Sequence, residues 1–221
     1  MMPWTDRPPL DRVVTYVLPA GTEIRRCYRE SRGEIAFWGA TDVRFGAAPR
    51  RMLYTGTTDA AAVCETLVRD PQPLPGTRQI VLPYDHLVDR GLATLRLRRP
   101  ATLVSLCRPA VAAVIQDAGH DADVRALIET RGDYAETNRF ARALLAQVPA
   151  MEALAWPSQR ADGHVVYCFY EGVITADDFE LLECEPFHTV DGYARLVEAV
   201  AVAGLQLIRA TPTGPLPDDD P

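Results

Sequence analysis

The sequence predicts one compact domain of the α+β class, in which short strands and helices are mixed along the chain. A length of 221 residues allows one well-buried core but leaves little room for two. Apolar runs of strand length, bounded by proline and glycine, are interspersed with segments whose apolar residues recur at helical spacing. No internal repeat and no second domain are visible. These observations together favour a single mixed α/β domain.

Strands and one helix account for the first half of the predicted domain. Strand-like apolar runs occur at Val13–Leu18, Glu34–Trp38 and Met52–Thr55. The next segment is typical of a helix, with Thr57 or Thr58 as its N-cap, Asp59 in its first turn and an end near Arg69. Residues 71–76 contain three prolines and one glycine, which predicts a loop after this helix.

The second half is expected to continue this mixture. Further strands are predicted at Ile80–Leu82, Ala93–Leu97, Leu103–Leu106, Val165–Tyr170 and Phe179–Cys184. A helical turn is expected near Tyr84–Asp89, and residues 108–148 are expected to be rich in helix. One apolar face in that region comprises Tyr134, Ala141, Leu144, Leu145 and Val148. A last helix has a similar face, made of Val190, Tyr193, Leu196, Val197 and Val200.

The two ends of the chain differ from its centre in composition. Residues 1–12 combine three prolines with charged side chains and predict a loose arm. Residues 211–221 contain four prolines and three consecutive aspartates, a composition typical of a disordered tail. The folded domain is therefore expected over residues 13–210.

Composition also excludes several classes of site. The formal net charge of −7 at pH 7 argues against broad electrostatic binding to nucleic acid. All 23 basic residues are arginine, so lysine Schiff-base chemistry is excluded. Any phosphate group must then be held by arginine or by backbone N–H groups. The four histidines are scattered and lack the spacing of a ligand array, so no metal site is expected.

The cysteines and the N-terminus indicate a compartment. Five cysteines, an odd number, occur without a C-x-x-C spacing, which favours free thiols in a reducing environment. The first ten residues lack the apolar core of a signal peptide. No stretch approaches the roughly 18 apolar residues of a membrane span. A cytoplasmic protein without a membrane segment is therefore expected.

One set of side chains is a candidate for chemistry. Arg29 ends the first strand region, Arg44 lies in a loop, Tyr54 lies in a predicted strand and Glu65 lies on the helix that follows. Ser158 comes much later, just before another predicted strand. Each has an ordinary structural explanation: solvated arginines, a core tyrosine, an exposed glutamate and a serine in a turn. Spacing alone does not select them.

Their sequence context resembles the RES domain family, which is named for an arginine, a glutamate and a serine. The matching blocks occur in the family's order: Leu18–Thr22 with Tyr28 and Arg29, Arg44 with Phe45, Leu53–Thr57, Ala61–Leu67, Tyr134–Thr137 and Leu154–Arg160. The named residues correspond to Arg29 or Arg44, Glu65 and Ser158. The chain differs from the family pattern at two positions of the Arg44 loop: Val43 stands where the family commonly has glycine, and Gly46 where it commonly has asparagine or another polar residue.

The resemblance implies a fold similar to the catalytic domain of ADP-ribosylating toxins. It also implies an enzyme that degrades NAD by hydrolysis or phosphorolysis, so NAD is a substrate, inorganic phosphate is a possible co-substrate and no other cofactor is needed. Many such enzymes are toxins silenced by a helix-turn-helix antitoxin. Such an antitoxin is therefore the expected partner, and self-association into a homodimer is a second possibility.

The resemblance assigns roles to six residues. Three of them would be catalytic: Glu65 would stabilise the cationic ribose of the transition state, Arg44 would hold the pyrophosphate or an incoming phosphate, and Ser158 would hydrogen-bond the nicotinamide ribose or its amide. The remaining three would bind NAD, Arg29 through its pyrophosphate and the aromatic rings of Tyr28 and Tyr54 through nicotinamide.

Two other functions stay open. The same site could transfer ADP-ribose or a phosphoribosyl unit to a protein, since the sequence does not distinguish water from a protein acceptor. A binding module without catalytic activity could also retain the fold.

Overall fold

The protein is described by a computed structural model that covers Val13 and residues 15–37, 43–69, 71–107 and 134–208. The predicted N-terminal arm, the tail from residue 211 and most of the expected helix-rich region 108–148 lie outside these residues. The predicted domain limits therefore stay predictions.

Strands and helices mix along the described chain. The strands are β1 (Thr15–Leu18), β2 (Glu23–Arg29), β3 (Met52–Gly56), β4 (Gln79–Val81), β5 (Arg90–Leu97), β6 (Ala101–Ser105), β7 (Ala153–Pro157), β8 (Val165–Tyr170), β9 (Phe179–Pro186) and β10 (Gln206–Ile208). The α-helices are α1 (Asp59–Thr66), α2 (Tyr84–Val88), α3 (Ala135–Gln147) and α4 (Val190–Val202).

In the described part of the chain, one sheet of eight strands organises the domain, in the order β1-β6-β7-β8-β3-β2-β5-β9. Neighbouring strands are antiparallel except for β6 and β7, which are parallel. Strands β4 and β10 form a separate parallel pair. The predicted class, a mixed α/β domain of the α+β type, is confirmed.

The sheet is apolar on both faces, as strand β8 shows. Its residues Val166, Cys168 and Tyr170 pack in one cluster, whereas Tyr167 and Phe169 pack in the opposite one. This is the period-2 alternation of a strand buried on both sides. The second cluster contains residues from seven neighbouring strands of the sheet, β6-β7-β8-β3-β2-β5-β9. The sheet therefore curls around this cluster. Helix α3 packs against the first cluster through Phe140, Ala141, Leu144 and Leu145.

Helices α1 and α4 pack together near β2 and β5. Val63 and Leu67 meet Leu196 and Val200 in a third apolar cluster, which also contains Cys27. Short side chains on α1 permit close packing, since Ala60, Ala61 and Ala62 are all buried. This packing fixes α1 against the sheet and so positions the residues at its end.

Several predicted elements agree with the structure. Met52–Thr55 lies within β3, and Val165–Tyr170 coincides with β8. Thr58, rather than Thr57, is the N-cap of α1, and its hydroxyl accepts a hydrogen bond from the N–H of Ala61 at 3.3 Å. The helix ends at Thr66 instead of near Arg69.

One predicted strand is wrong. Within Glu34–Trp38 the described residues form a turn followed by a segment without regular secondary structure, rather than a strand. The residues just upstream, Glu23–Arg29, form β2 instead and pair with β3 and β5. An apolar run becomes a strand only where partner strands are available for its N–H and C=O groups, and β2 already occupies that place. Strands β7 and β10 were not predicted separately.

Candidate active site

A cleft of about 250 Å³ opens beside β2, β3 and the end of α1. Side chains from separate parts of the chain line it, including Arg29, Tyr54, Glu65, Arg69 and Tyr134. Three of these five are residues that the sequence singled out as candidates.

Tyr54 lies on the cleft side of β3 and fixes the loop that carries Arg44. Its hydroxyl donates a hydrogen bond to the backbone carbonyl of Arg44. Its ring packs edge-on against Trp156, with 5.8 Å between ring centroids. Burial raises the pKa of Tyr54 well above its usual value, so the hydroxyl stays protonated and remains a donor.

Arg44 and Glu65 form a buried ion pair at the base of the cleft. The Arg44 Nη1 atom lies 3.6 Å from Glu65 Oε2, and the side chains are only 0% and 3% exposed. Burial lowers the pKa of Arg44, and the Glu65 carboxylate opposes this effect by favouring the charged guanidinium. The backbone N–H of Gln159 approaches Glu65 Oε1 at 3.5 Å from the other side. The carboxylate is thus held between an arginine and a backbone donor.

Helix α1 places Glu65 opposite Tyr54 because it follows β3 after a very short turn. Glu65 is the seventh of the eight residues of α1, so it lies in the last turn and not in the first turns. A helix C-terminus disfavours negative charge, and the neighbouring Arg44 guanidinium, 3.6 Å from the carboxylate, compensates for this. Gly56 permits the close approach, since an added Cβ would lie 2.6 Å from the Cβ of Ala61.

Arg29 and Tyr28 are neighbours at the end of β2, but their side chains point to opposite faces of the sheet. Arg29 lines the cleft together with Cys27, two residues earlier on the same face of the strand. Tyr28 points to the opposite face, is only 2% exposed and packs in the second apolar cluster. Its ring occupies the space above Gly91, where an added Cβ would lie 2.7 Å from ring atoms. The structure therefore does not bring Tyr28 to the cleft, which argues against the stacking role expected for it.

Ser158 lies behind Glu65 rather than in the cleft lining. It follows β7, is 8% exposed, and its N–H donates to the carbonyl of His164 at 2.8 Å. Its hydroxyl accepts a hydrogen bond from the N–H of Ala161 at 3.2 Å. Ser158 thus shapes the turn that delivers the N–H of Gln159 to Glu65. The structure brings the Ser158 loop and Glu65 together although 93 residues separate them in sequence.

Arg69 and Tyr134 are two of the cleft residues that were not among the predicted site residues. Arg69 follows α1 four positions after Glu65, and its guanidinium carbon lies 4.4 Å from the centre of the Tyr134 ring. Tyr134 precedes α3 as its N-terminal flanking residue. Arg69 lies beyond the end of α1, so helical spacing from Glu65 does not place it in the cleft. Only the fold could bring Tyr134 to them.

The cleft is strongly cationic. Five arginines line it or lie at its base: Arg26, Arg29, Arg44, Arg69 and Arg90. Among the described residues that line the cleft, Glu65 is the one acid. Burial lowers the pKa of Arg26 to about 10 and also lowers that of Arg90, yet both remain charged at neutral pH. An arrangement of this kind suits an anionic ligand with phosphate groups.

The described residues contain no group of three or more histidine, cysteine or acidic side chains placed to hold a metal ion. Within the same residues, no helix is long and apolar enough to cross a membrane.

Comparison with known proteins decides the family. The RES domain model matches residues 23–181, which is most of the chain and includes all six candidate site residues. This chain belongs to the RES domain family. RES domain toxins act on NAD, so membership supports an NAD-degrading enzyme of the toxin class in general terms. None of the curated proteins compared with the chain matches it.

A solved structure supports the same fold for this RES domain. A chain of the crystal structure of the M. tuberculosis MbcT-MbcA toxin-antitoxin complex superposes with a TM-score of 0.50 at 16% sequence identity. The match covers 76% of this chain and 85% of the other. At this identity the likeness concerns the fold alone.

Proposed function

We propose that this RES domain cleaves NAD at the bond between nicotinamide and ribose. The observation that carries the proposal is the buried Arg44–Glu65 pair, placed in a cleft lined by further arginines. A single carboxylate among several guanidinium groups suits a substrate that combines one cationic ring with a pyrophosphate. NAD has this charge pattern.

The cleft volume is consistent with binding one half of the dinucleotide. Pockets for whole ligands usually enclose roughly 300–1,000 Å³, and the cleft, at about 250 Å³, lies just below that range. Nicotinamide and its ribose would enter the cleft, with Tyr54 beside the ring and Glu65 beside the ribose. Arg29, at the end of β2, would then meet the pyrophosphate.

The proposed step breaks the bond between the nicotinamide nitrogen and ribose C1′. Both bonding electrons pass to the nitrogen, which turns the pyridinium cation into neutral nicotinamide and leaves positive charge on the ribose. Glu65 stabilises that charge electrostatically. An oxygen of water or phosphate then bonds to C1′. Water yields ADP-ribose and a proton, whereas phosphate yields ADP-ribose carrying a phosphate on C1′.

Two further parts of the proposal concern the cell. We place the enzyme in the cytoplasm, where its five thiols stay reduced. The family resemblance and the toxin-antitoxin complex of the structural neighbour support an antitoxin, expected to be of the helix-turn-helix type, that covers the cleft. If so, the purified antitoxin blocks NAD consumption, whereas a homodimer formed elsewhere on the surface leaves it unchanged.

The decisive experiment incubates the purified protein with NAD labelled in its adenosine moiety, with and without inorganic phosphate. Release of nicotinamide with ADP-ribose indicates hydrolysis, and a phosphorylated product that forms only with phosphate indicates phosphorolysis. Label attached to protein would favour the transferase instead. NAD that stays intact at micromolar enzyme would contradict the proposal and favour a binding module.

A further inference from the structure

Arg69 has hydrogen-bonding capacity that the described part of the chain leaves unused. Its Nε and Nη2 atoms are buried and make no hydrogen bond within the described residues. A buried donor without an acceptor destabilises the fold, so such groups usually bind a ligand or water. Arg69 lines the cleft, so an acceptor that enters the cleft is within its reach.

The Arg69 guanidinium is held in place from two sides. It lies 4.4 Å from the centre of the Tyr134 ring, within the range of a cation–π contact. The backbone beneath it is fixed by Arg160, whose Nη2 atom donates to the carbonyls of Arg69 at 3.3 Å and Pro71 at 3.2 Å. A group already fixed in the free protein loses little entropy when it binds a ligand.

Electrostatics point to an anion as that ligand. Arg69 lies near enough to Arg44 and Tyr54 to act on both: its positive charge adds to the lowering of the Arg44 pKa by burial and opposes the larger rise that burial causes in the pKa of Tyr54. Glu65 is already engaged by Arg44, at 3.6 Å. A second anion between Arg69 and its neighbours would relieve the repulsion between like charges. Phosphate fits best, since its oxygens match the parallel N–H donors of a guanidinium.

We infer that Arg69, held on the ring of Tyr134, is a phosphate-binding residue of the cleft. This inference rests on the proposed function and assigns a ligand to a part of the site that the predicted residues do not cover. The phosphate group has two possible sources, the pyrophosphate of the dinucleotide or free inorganic phosphate that acts as the co-substrate.

The test measures binding without turnover. Calorimetry with inorganic phosphate alone, and separately with ADP-ribose, is performed on the wild type and on Arg69→Ala, Arg69→Lys and Arg142→Ala. Loss of a charge-assisted contact should weaken the affected ligand roughly 10- to 150-fold in Arg69→Ala. Lysine should restore part of that affinity because it keeps the charge but lacks the fork. Arg142→Ala removes an exposed arginine of α3 and should bind both ligands as the wild type does.

The two ligands distinguish the sources. Weakened binding of phosphate with unchanged binding of ADP-ribose assigns Arg69 to the co-substrate, and the opposite result assigns it to the pyrophosphate. Unchanged binding of both ligands in Arg69→Ala, or no binding of either by the wild type, overturns the inference. A wild type that binds ADP-ribose through Arg69 but leaves NAD intact overturns the proposed function and not the inference. NAD cleavage by the wild type, together with unchanged binding of both ligands in Arg69→Ala, overturns the inference and not the proposed function.

Discussion

The Glu65 carboxylate combines a proposed catalytic role with a structural one. Its charge would face the developing ribose cation, and it also pairs with the fully buried guanidinium of Arg44. From the sequence alone, replacing one polar cleft residue is expected to cost little stability. The buried pair changes that expectation, because removing one partner leaves the other charge uncompensated.

We therefore predict two effects of Glu65→Gln. NAD turnover should fall roughly 10²- to 10³-fold, since the amide keeps the shape but loses the charge. The free energy of unfolding should also fall, by up to about 3–5 kcal/mol. Chemical unfolding and nicotinamide release, measured at a temperature where circular dichroism shows a folded variant, separate the two effects.

Glu180→Gln is the matched control for this prediction, because Glu180 is 40% exposed and pairs with Arg96 at the surface. It should leave turnover unchanged and cost at most about 1 kcal/mol of stability. Wild-type turnover in folded Glu65→Gln would remove Glu65 from the catalytic role.

Arg29 is predicted to act mainly in binding. It lines the cleft at the end of β2 and makes no part of the buried Arg44–Glu65 pair. Arg29→Ala should raise the KM for NAD roughly 10- to 150-fold with a smaller change in kcat, because a pyrophosphate contact is present in both ground and transition states. Arg29→Lys should recover only part of the loss. Steady-state kinetics measure both parameters.

Arg32→Ala provides the comparison for Arg29, since Arg32 is an exposed arginine three residues later. Its KM should equal that of the wild type. An unchanged KM in Arg29→Ala would place the pyrophosphate on the other cleft arginines.

At the scale of elements, the β3–α1 connection sets the distance between Tyr54 and Glu65. A Cβ added at Gly56 would lie 2.6 Å from the Cβ of Ala61 and 2.7 Å from the backbone nitrogen of Ala62. Helix α1 must then move away from β3. We predict that Gly56→Ala lowers both thermal stability and NAD turnover, because Glu65 moves with the helix.

Gly192→Ala is the control for Gly56→Ala, because it introduces a clash outside the cleft and so destabilises the fold without moving Glu65. An added Cβ at Gly192 would lie 2.0 Å from the carbonyl oxygen of Pro186, so Gly192→Ala disturbs the start of α4. It should lower the melting temperature and leave the turnover of the folded protein near the wild-type value. Equal loss of turnover in both variants, measured where both are folded, would mean that the β3–α1 distance has no special role.

At the scale of the whole molecule, the five cysteines report on the packing of the domain. All five are free, and Cys27, Cys64 and Cys168 are buried, whereas Cys107 and Cys184 are partly exposed. Burial raises the pKa of every one of these thiols, that of Cys64 to about 12. A raised pKa leaves less of the reactive thiolate at pH 8.

Alkylation at pH 8 should therefore be slow in the native protein, with Cys107 and Cys184 modified first. All five should react after denaturation without reductant. Mass spectrometry after timed quenching counts the modified residues. Rapid reaction of Cys27 in the native state would show that the part of the cleft lining around this buried thiol opens to the reagent. Fewer than five modified cysteines after denaturation would indicate a disulfide.

The sequence predicted those elements whose signal is local. Met52–Thr55 and Val165–Tyr170 are apolar runs whose composition favours a strand. They lie at the centre of the sheet and pair with each other, so local preference and tertiary pairing favour the same structure. The cap at Thr58 follows from a side chain that satisfies a backbone N–H three residues away. Glu34–Trp38 failed because its strand-like composition says nothing about whether a partner strand is available. The alternative, β2, was chosen by pairing with β3 and β5.

The same division holds for the site. The sequence by itself determined the RES resemblance, the absence of lysine and the identities of Arg29, Tyr54 and Glu65, because these depend on residue type and order. Tertiary structure alone decided that Arg44 is buried against Glu65, that Tyr28 faces the opposite core, and that Tyr134 supports Arg69. Pleating turns adjacent strand residues to opposite faces, and packing joins residues distant in sequence. Neither the chosen face nor the distant partner can be read from the local order of residues.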